Sequence, residues 1–119
     1  MKRKPLEELN LNETDIDAIL SSLSLAASYP SCSSAQDDLN YSFCESAFAK
    51  ISSRSPHLEP NEIRMISVGL TIALNYLSGQ MPDLPFEIPE EDISELRRCF
   101  FSINRLEPIF RGYLEHFHT

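Results

Sequence analysis

Hydrophobic residues between Leu58 and Gly79 recur at three- and four-residue steps on two faces of a helix. Pro60 suits the first helical turn, where its missing N–H costs nothing, and Glu62 favours the positive end of the helix dipole. Gly79 can take the left-handed conformation that ends a helix. The pattern therefore predicts one central helix, apolar on two faces. The two stripes are Ile63, Ile66, Leu70, Leu74 and Leu77, and Met65, Val68, Ile72 and Tyr76.

The same segment contains two small residues, Gly69 and Ala73, one helical turn apart. A glycine inside a helix lowers its stability relative to alanine unless another group approaches closely. The pair therefore predicts a shallow groove that accepts a crossing helix. We expect that helix to come from the same chain, and a dimer partner is the alternative.

Two segments before residue 58 also have the apolar spacing of amphipathic helices. The first starts at Asn12 or Thr14, either of which can cap a helix, and ends before Tyr29. The second starts at Asp37 and ends near Ser53. Their apolar stripes are Ile16, Ile19, Leu20 and Leu23 in the first, and Leu39, Tyr41, Phe43, Cys44, Ala47, Phe48 and Ile51 in the second.

The last periodic segment begins at Pro89, where acidic residues follow a proline, and continues through Ile103. Pro108 interrupts the pattern, because proline lacks the N–H that an interior helical residue donates. The interruption predicts a separate terminal segment that carries Phe110. The predicted fold class is therefore all-α, a compact bundle of four main helices plus a short C-terminal helix after Pro108.

With 119 residues, of which 42% are hydrophobic, the chain is long enough for one core and too short for two domains. We expect a single helical domain over residues 1–119. Residues 1–11 are expected to form a flexible N-terminal lead-in.

Three prolines lie between Gln80 and Pro89, so this stretch is neither a helix nor a central strand. We predict an extended crossover in which Leu84, Phe86 and Ile88 alternate with other residues. These side chains either pack onto the bundle or form an exposed apolar patch for a partner. We favour packing, because exposed patches are the exception on monomeric soluble domains.

The formal net charge of −8 disfavours binding to nucleic acid, which needs clustered cations. Polar residues interrupt the central apolar run too often for a membrane span. The cysteines Cys32, Cys44 and Cys99 are odd in number and widely separated, which favours a reducing compartment. We expect a cytoplasmic protein in which Cys44 and Cys99 are buried and Cys32, in a polar segment, is exposed.

No catalytic, cofactor or metal motif is present, so we expect neither an enzyme nor a bound cofactor. His116 and His118 would point about 200° apart on a helix, which does not suit a shared metal. The acidic residues 90–92 are explained by the helix dipole. A catalytic pair of Cys32 and His57 would require the fold to bring them together.

Positive charge concentrates near the C terminus at Arg97, Arg98, Arg105 and Arg111. Arg97 and Arg105 are two turns apart and roughly aligned, so they can present a ridge to an acidic partner or to a second copy of the chain. The alternative that we favour is pairing within the chain, for example of Arg98 with Glu95.

These patterns favour a protein–protein interaction or regulatory module that acts by binding. The alternatives are a self-assembling structural subunit and, less favoured, a small metal- or metabolite-binding protein. We expect the partner surface to lie on the crossover and the C-terminal region. Its predicted residues are Leu84, Phe86, Ile88, Arg98, Arg105 and Phe110.

Overall fold

Five helices form the part of the chain that the computed structural model describes, which is residues 10–31, 33–55, 57–81 and 83–117, with side chains up to residue 113. In chain order they are α1 (Glu13–Ser28), α2 (Ser34–Ser52), α3 (Pro60–Leu77), α4 (Glu90–Arg98) and α5 (Phe100–Phe117). The all-α prediction is confirmed. Residues 1–9 of the expected lead-in lie outside the described part, and Leu11 packs against the core.

The central helix is α3, which packs against α1, α2 and α5. Because α1 also contacts α2 and α5, α1 and α3 form the middle of the bundle, and α2 and α5 flank them. The short α4 contacts α1, α3 and α5. None of the described helices has the length and apolar character needed to cross a membrane. The largest fully buried side chains include Ile19, Leu23, Ile63, Ile66, Leu70, Ile103 and Phe110.

Both ends of α3 match the sequence prediction. Pro60 is in the first turn, and the backbone N–H of Glu59 donates to the Glu62 carboxylate at 2.7 Å. After the last turn, Gly79 has a φ of +83°, the left-handed conformation that glycine adopts without steric cost. These local contacts explain why the helix begins and ends where it does.

The backbones of α1 and α3 come into close contact at Gly69. A Cβ atom at this position would lie 2.2 Å from the carbonyl oxygen of Ser22, so any larger residue would force the two helices apart. Ala73, one turn later, is fully buried. The predicted small-residue groove is therefore confirmed, and α1 of the same chain occupies it.

The C-terminal helices differ from the sequence prediction. Pro108 lies inside α5, and the interruption falls at Cys99 between α4 and α5. Pro108 and Asn104, whose carbonyl would have accepted the missing N–H, are both exposed, so water can satisfy that carbonyl. The continuous helix places Phe110 two turns after Ile103, and both are fully buried. The sequence thus predicts a fifth helix correctly but places its start at the wrong residue.

The crossover packs onto the bundle. Leu84, Phe86 and Ile88 are half-buried and lie against the core. The ring of Phe86 meets the ring of Tyr29 edge to face, with 6.2 Å between their centroids. The favoured alternative, packing in place of an exposed patch, is confirmed.

Buried carboxylates join helices that are distant in the sequence. Asp15 of α1 is 2% exposed, pairs with Arg105 of α5 and accepts the Asn12 N–H at 3.2 Å. Glu62 of α3 is 3% exposed and accepts a hydrogen bond from the Lys50 ammonium of α2 at 2.8 Å. A buried charge is tolerated only when such partners replace its lost water, so removing either cation would destabilise the fold.

The same contacts set the protonation state of both groups. Burial raises the pKa of Asp15, but hydrogen bonds led by that of Arg105 outweigh it, and the pKa lies below its ordinary value of 3.8. Burial also raises the pKa of Glu62, and hydrogen bonds led by that of Lys50 bring it below the ordinary 4.5. Both carboxylates are therefore charged in the folded protein at neutral pH.

The close contact at Gly69 predicts that Gly69→Ala lowers the free energy of unfolding by about 1–3 kcal/mol, because the added methyl group overlaps the Ser22 carbonyl. Gly112→Ala is the matched control, since a Cβ there meets nothing within 4 Å and should be neutral or stabilising by up to about 1 kcal/mol. Urea unfolding followed by circular dichroism measures both. Equal effects of the two substitutions would contradict the close contact.

Lowering the pH is predicted to destabilise the fold. The pKa values of Asp15 and Glu62 are lower in the folded state, so their contribution is complete above the unfolded values and is lost as the pH falls through the folded values. We expect the free energy of unfolding to decrease below about pH 5. The double variant Asp15→Asn/Glu62→Gln should be less stable at neutral pH and show a flatter pH dependence.

Urea unfolding between about pH 3 and pH 7 measures this dependence. Asp83→Asn changes an exposed carboxylate and should follow the wild-type curve. Parallel curves for the double variant and the wild type would show that these two carboxylates do not carry the pH dependence.

Candidate functional site

The apolar stripe of α2 is only partly covered by the rest of the fold. Leu39, Tyr41 and Phe48 expose 51%, 52% and 42% of their surface. The sequence predicted all three on a core-facing stripe, yet the buried residues of α2 are Cys44, Ala47 and Ile51. The helix therefore presents apolar surface that its own chain leaves in contact with water.

Tyr41 and Phe48 are seven residues apart, so they lie two turns apart on one flank of α2. Cys44 lies between them, and Leu23 and Ala27 of α1 form the facing wall. The space between the helices is a groove of about 310 Å³, which we call the α1–α2 groove. Its lining consists of Leu23, Ser24, Ala27, Tyr41, Cys44, Glu45 and Phe48.

One edge of the α1–α2 groove is acidic. Glu45 lines the groove and is exposed, and the exposed Asp38 lies three residues before Tyr41 on the same flank of α2. The basic residue of α2, Lys50, lies on the opposite flank together with Leu39, and its ammonium is held in an ion pair within the chain. The groove therefore combines apolar walls with a negatively charged edge.

Cys44 lines the groove but is only 3% exposed. Burial raises the pKa of its thiol to about 11, although the nearby Arg64 acts in the opposite direction. The thiol stays protonated at neutral pH and behaves as a small apolar group. Cys99 is buried as well, so the prediction for both residues is confirmed, and Cys32 lies outside the described residues.

The C-terminal arginines are largely paired within the chain, as the sequence analysis favoured. Arg98 contacts Asp17 of α1 at 2.8 Å and also pairs with Glu95 of its own helix. The other pairs involve buried carboxylates: Arg105 with Asp15, and Arg111 with Glu107. Arg98 and Arg105 therefore help to hold α4 and α5 against α1.

The residues predicted as a partner surface do not form one exposed surface. Phe110 is fully buried, so it cannot belong to an accessible surface of the folded protein. It lies in the core because α5 continues through Pro108 and keeps the helical register. The remaining predicted residues are either half-buried against the core or ion-paired: Leu84, Phe86, Ile88, Arg98 and Arg105.

The open flank of α2 was not predicted from the sequence, although one signal for it is present. The apolar arc that runs from Leu39 through the buried residues of α2 to Tyr41 spans about 200° of the helix circumference, which is too wide for one neighbouring helix to cover. Part of the arc must remain exposed on a helix at the edge of a bundle. The packing of α1 and α3 decides which part of the apolar arc is covered and which part stays exposed.

The described residues contain no group of three His, Cys, Asp or Glu side chains placed to hold a metal ion. The side chains of His116 and His118 lie outside the described part of the chain. His57 is exposed in the loop before α3.

Comparison with protein-family models, with curated proteins and with solved structures finds no match to this chain.

The exposure of the α1–α2 groove predicts different effects for its residues and for Phe110. Tyr41→Ser and Phe48→Ser should each lower the free energy of unfolding by no more than about 1.5 kcal/mol, because half of each ring already lies in water. Phe110→Ala should lower it by about 3–5 kcal/mol, because it empties a filled core position. Chemical denaturation measures all three. Similar losses would mean that the groove residues belong to the core.

Proposed function

We propose that this protein is a protein–protein interaction module that binds a partner helix in the α1–α2 groove. The observation that carries the proposal is the pair of half-exposed aromatic rings, Tyr41 and Phe48, beside an apolar wall from α1. The partner that fits presents an apolar or aromatic anchor flanked by Lys or Arg. The proposed activity is binding without catalysis.

The shape of the groove supports a helical partner. The short connection of residues 29–33 joins α1 to α2, so the two helices lie side by side and the groove runs along them. Tyr41 and Phe48 define about two turns, or roughly 10 Å, of its length. An amphipathic helix with apolar side chains at successive turns has the matching spacing.

The acidic edge supports a basic partner. Glu45 and Asp38 carry negative charge beside the apolar walls, and the chain as a whole has a formal net charge of −8. Lys and Arg around the anchor would gain attraction at this edge and would be steered towards it, whereas a polyanion such as a nucleic acid would be repelled.

The size of the groove suits a transient complex. Tyr41 and Phe48 are already half covered, so completing their burial contributes roughly 1 kcal/mol apiece. This contribution is smaller than the cost of bringing two molecules together, so the partner must add its own anchor and charges. We expect a dissociation constant in the micromolar range.

The proposal includes a cytoplasmic location. Cys44 and Cys99 are free and buried, and neither forms a disulfide. Unpaired buried thiols suit a compartment that keeps cysteines reduced.

A labelled synthetic amphipathic peptide, with Leu and Phe on one face and Lys on the other, is predicted to bind the wild-type protein. Phe48→Ser should weaken binding by about tenfold or more, because it removes one wall of the groove. Glu45→Lys should weaken it by reversing the charge of the edge. Fluorescence anisotropy at two salt concentrations measures the affinities, and binding should weaken as salt rises.

Leu39→Ser is the matched control, because it removes an equally exposed apolar residue from the opposite flank of α2. It should leave the affinity unchanged. An equal loss for Leu39→Ser and Phe48→Ser, or equal binding of a peptide with Glu in place of Lys, would indicate nonspecific attraction and reject the groove as the site.

A further inference from the structure

The segment of residues 1–9, which lies outside the described part of the chain, concentrates positive charge. Lys2, Arg3 and Lys4 are the only three consecutive basic residues in the sequence, and we call them the basic cluster. Leu6 follows two positions after the cluster. Although the whole chain has a net charge of −8, this segment combines clustered cations with an apolar side chain. These are the features that the α1–α2 groove requires of its partner.

The segment is long enough to reach the groove of its own chain. Asn10 is the first described residue, and α1 begins just after it, capped by Asn12. Leu23, in the α1 wall of the groove, lies about 17 Å along the helix from Asn12, because each helical residue adds about 1.5 Å. Nine extended residues span roughly 30 Å. A segment that runs back along α1 therefore covers the whole distance.

The order of residues in the segment matches the order of features along the groove. A short connection joins α1 to α2 and the two helices run antiparallel, so Phe48 lies nearer to the start of α1 than Glu45 and Asp38 do. In an extended chain, Leu6 is about 13 Å from Asn10, and the basic cluster is about 20–26 Å from it. Leu6 therefore comes within reach of Phe48, and the basic cluster comes within reach of the acidic edge.

We therefore propose that residues 1–9 occupy the α1–α2 groove of their own chain and compete there with the partner helix. The basic cluster is attracted to the acidic edge by its opposite charge. Glu7 and Glu8, the acidic residues of the segment, lie next to the start of the described chain and therefore away from that edge. This inference rests on the proposed function of the groove.

The segment is a weaker occupant than a helical partner. Pro5 disfavours the helical conformation at Lys4, so the segment does not present apolar groups at successive helical turns. The tether compensates, because a short connection gives the segment an effective concentration of about 1 mM or more at the groove. Even an intrinsic dissociation constant of about 1 mM would then keep the groove occupied at least half of the time. Such a contact weakens partner binding and is still displaced by the partner.

The affinity of the labelled basic peptide for variants of the chain tests the proposal. Lys2→Gln/Lys4→Gln weakens the basic cluster, so this variant should bind the peptide about two- to tenfold more tightly than the wild type does. Leu6→Ser leaves the net charge unchanged and should also tighten peptide binding.

Arg54→Gln/Arg97→Gln is the matched control. It removes two exposed cations that do not line the groove, and it changes the net charge by the same amount as Lys2→Gln/Lys4→Gln. It should change the affinity by less than about twofold, because charges far from the site are screened by salt.

Amide NMR spectra without the peptide test the contact directly. Lys2→Gln/Lys4→Gln should shift the signals of Tyr41, Glu45 and Phe48 relative to the wild type. These shifts should not depend on protein concentration, because the contact lies within one chain. Shifts that appear only at high concentration would assign the segment to the groove of another molecule and overturn the proposal.

Failure of this inference is distinguishable from failure of the proposed function. If the peptide binds the wild type and Lys2→Gln/Lys4→Gln equally well and the groove signals do not shift, the contact within the chain is overturned and the proposed function stands. If the peptide binds none of these proteins, both are rejected.

Discussion

The contact between the backbones of α1 and α3 at Gly69 sets the arrangement of the bundle. A glycine lets the carbonyl of Ser22 approach α3 more closely than any side chain would allow. The two helices then form a single central layer with apolar surface on both sides, which α2 and α5 cover. Because α2 lies at the edge of the bundle and packs on this layer, one of its flanks remains open among the residues that the structure describes. The α1–α2 groove is a consequence of the central contact.

Ion pairs between helices stabilise the fold in addition to apolar packing. The net charge of −8 would weaken a compact fold through repulsion, but the carboxylates that enter the interior are paired with cations, and two of these pairs join different helices. Asp15 joins α1 to α5, and Glu62 joins α3 to α2. Asp38 and Glu45 remain exposed beside Tyr41 and Phe48, and they give the edge of the groove its negative charge. The ion pairs in the interior therefore stabilise the fold, and the exposed carboxylates favour a basic partner.

Patterns among residues close in the sequence predict much of this structure. They fail for features that depend on packing between helices. The ends of α3, its two apolar faces and the role of Gly69 follow from sequence because each depends on residues a few positions apart. Pro108 misleads because an exposed proline can remain within a helix, and nothing local shows that it is exposed. The open flank of α2 has the same apolar spacing as a buried one. The Arg98–Asp17 pair joins residues 81 positions apart, beyond the reach of any periodicity.

The central claim is that the α1–α2 groove binds a basic amphipathic helix. Amide NMR spectra recorded while the labelled basic peptide is added test it residue by residue. We expect shifts around Tyr41, Cys44 and Phe48 of α2 and around Leu23 and Ala27 of α1, with a common dependence on peptide concentration. Shifts that leave out these residues, or spectra that do not change as the peptide is added, would contradict it.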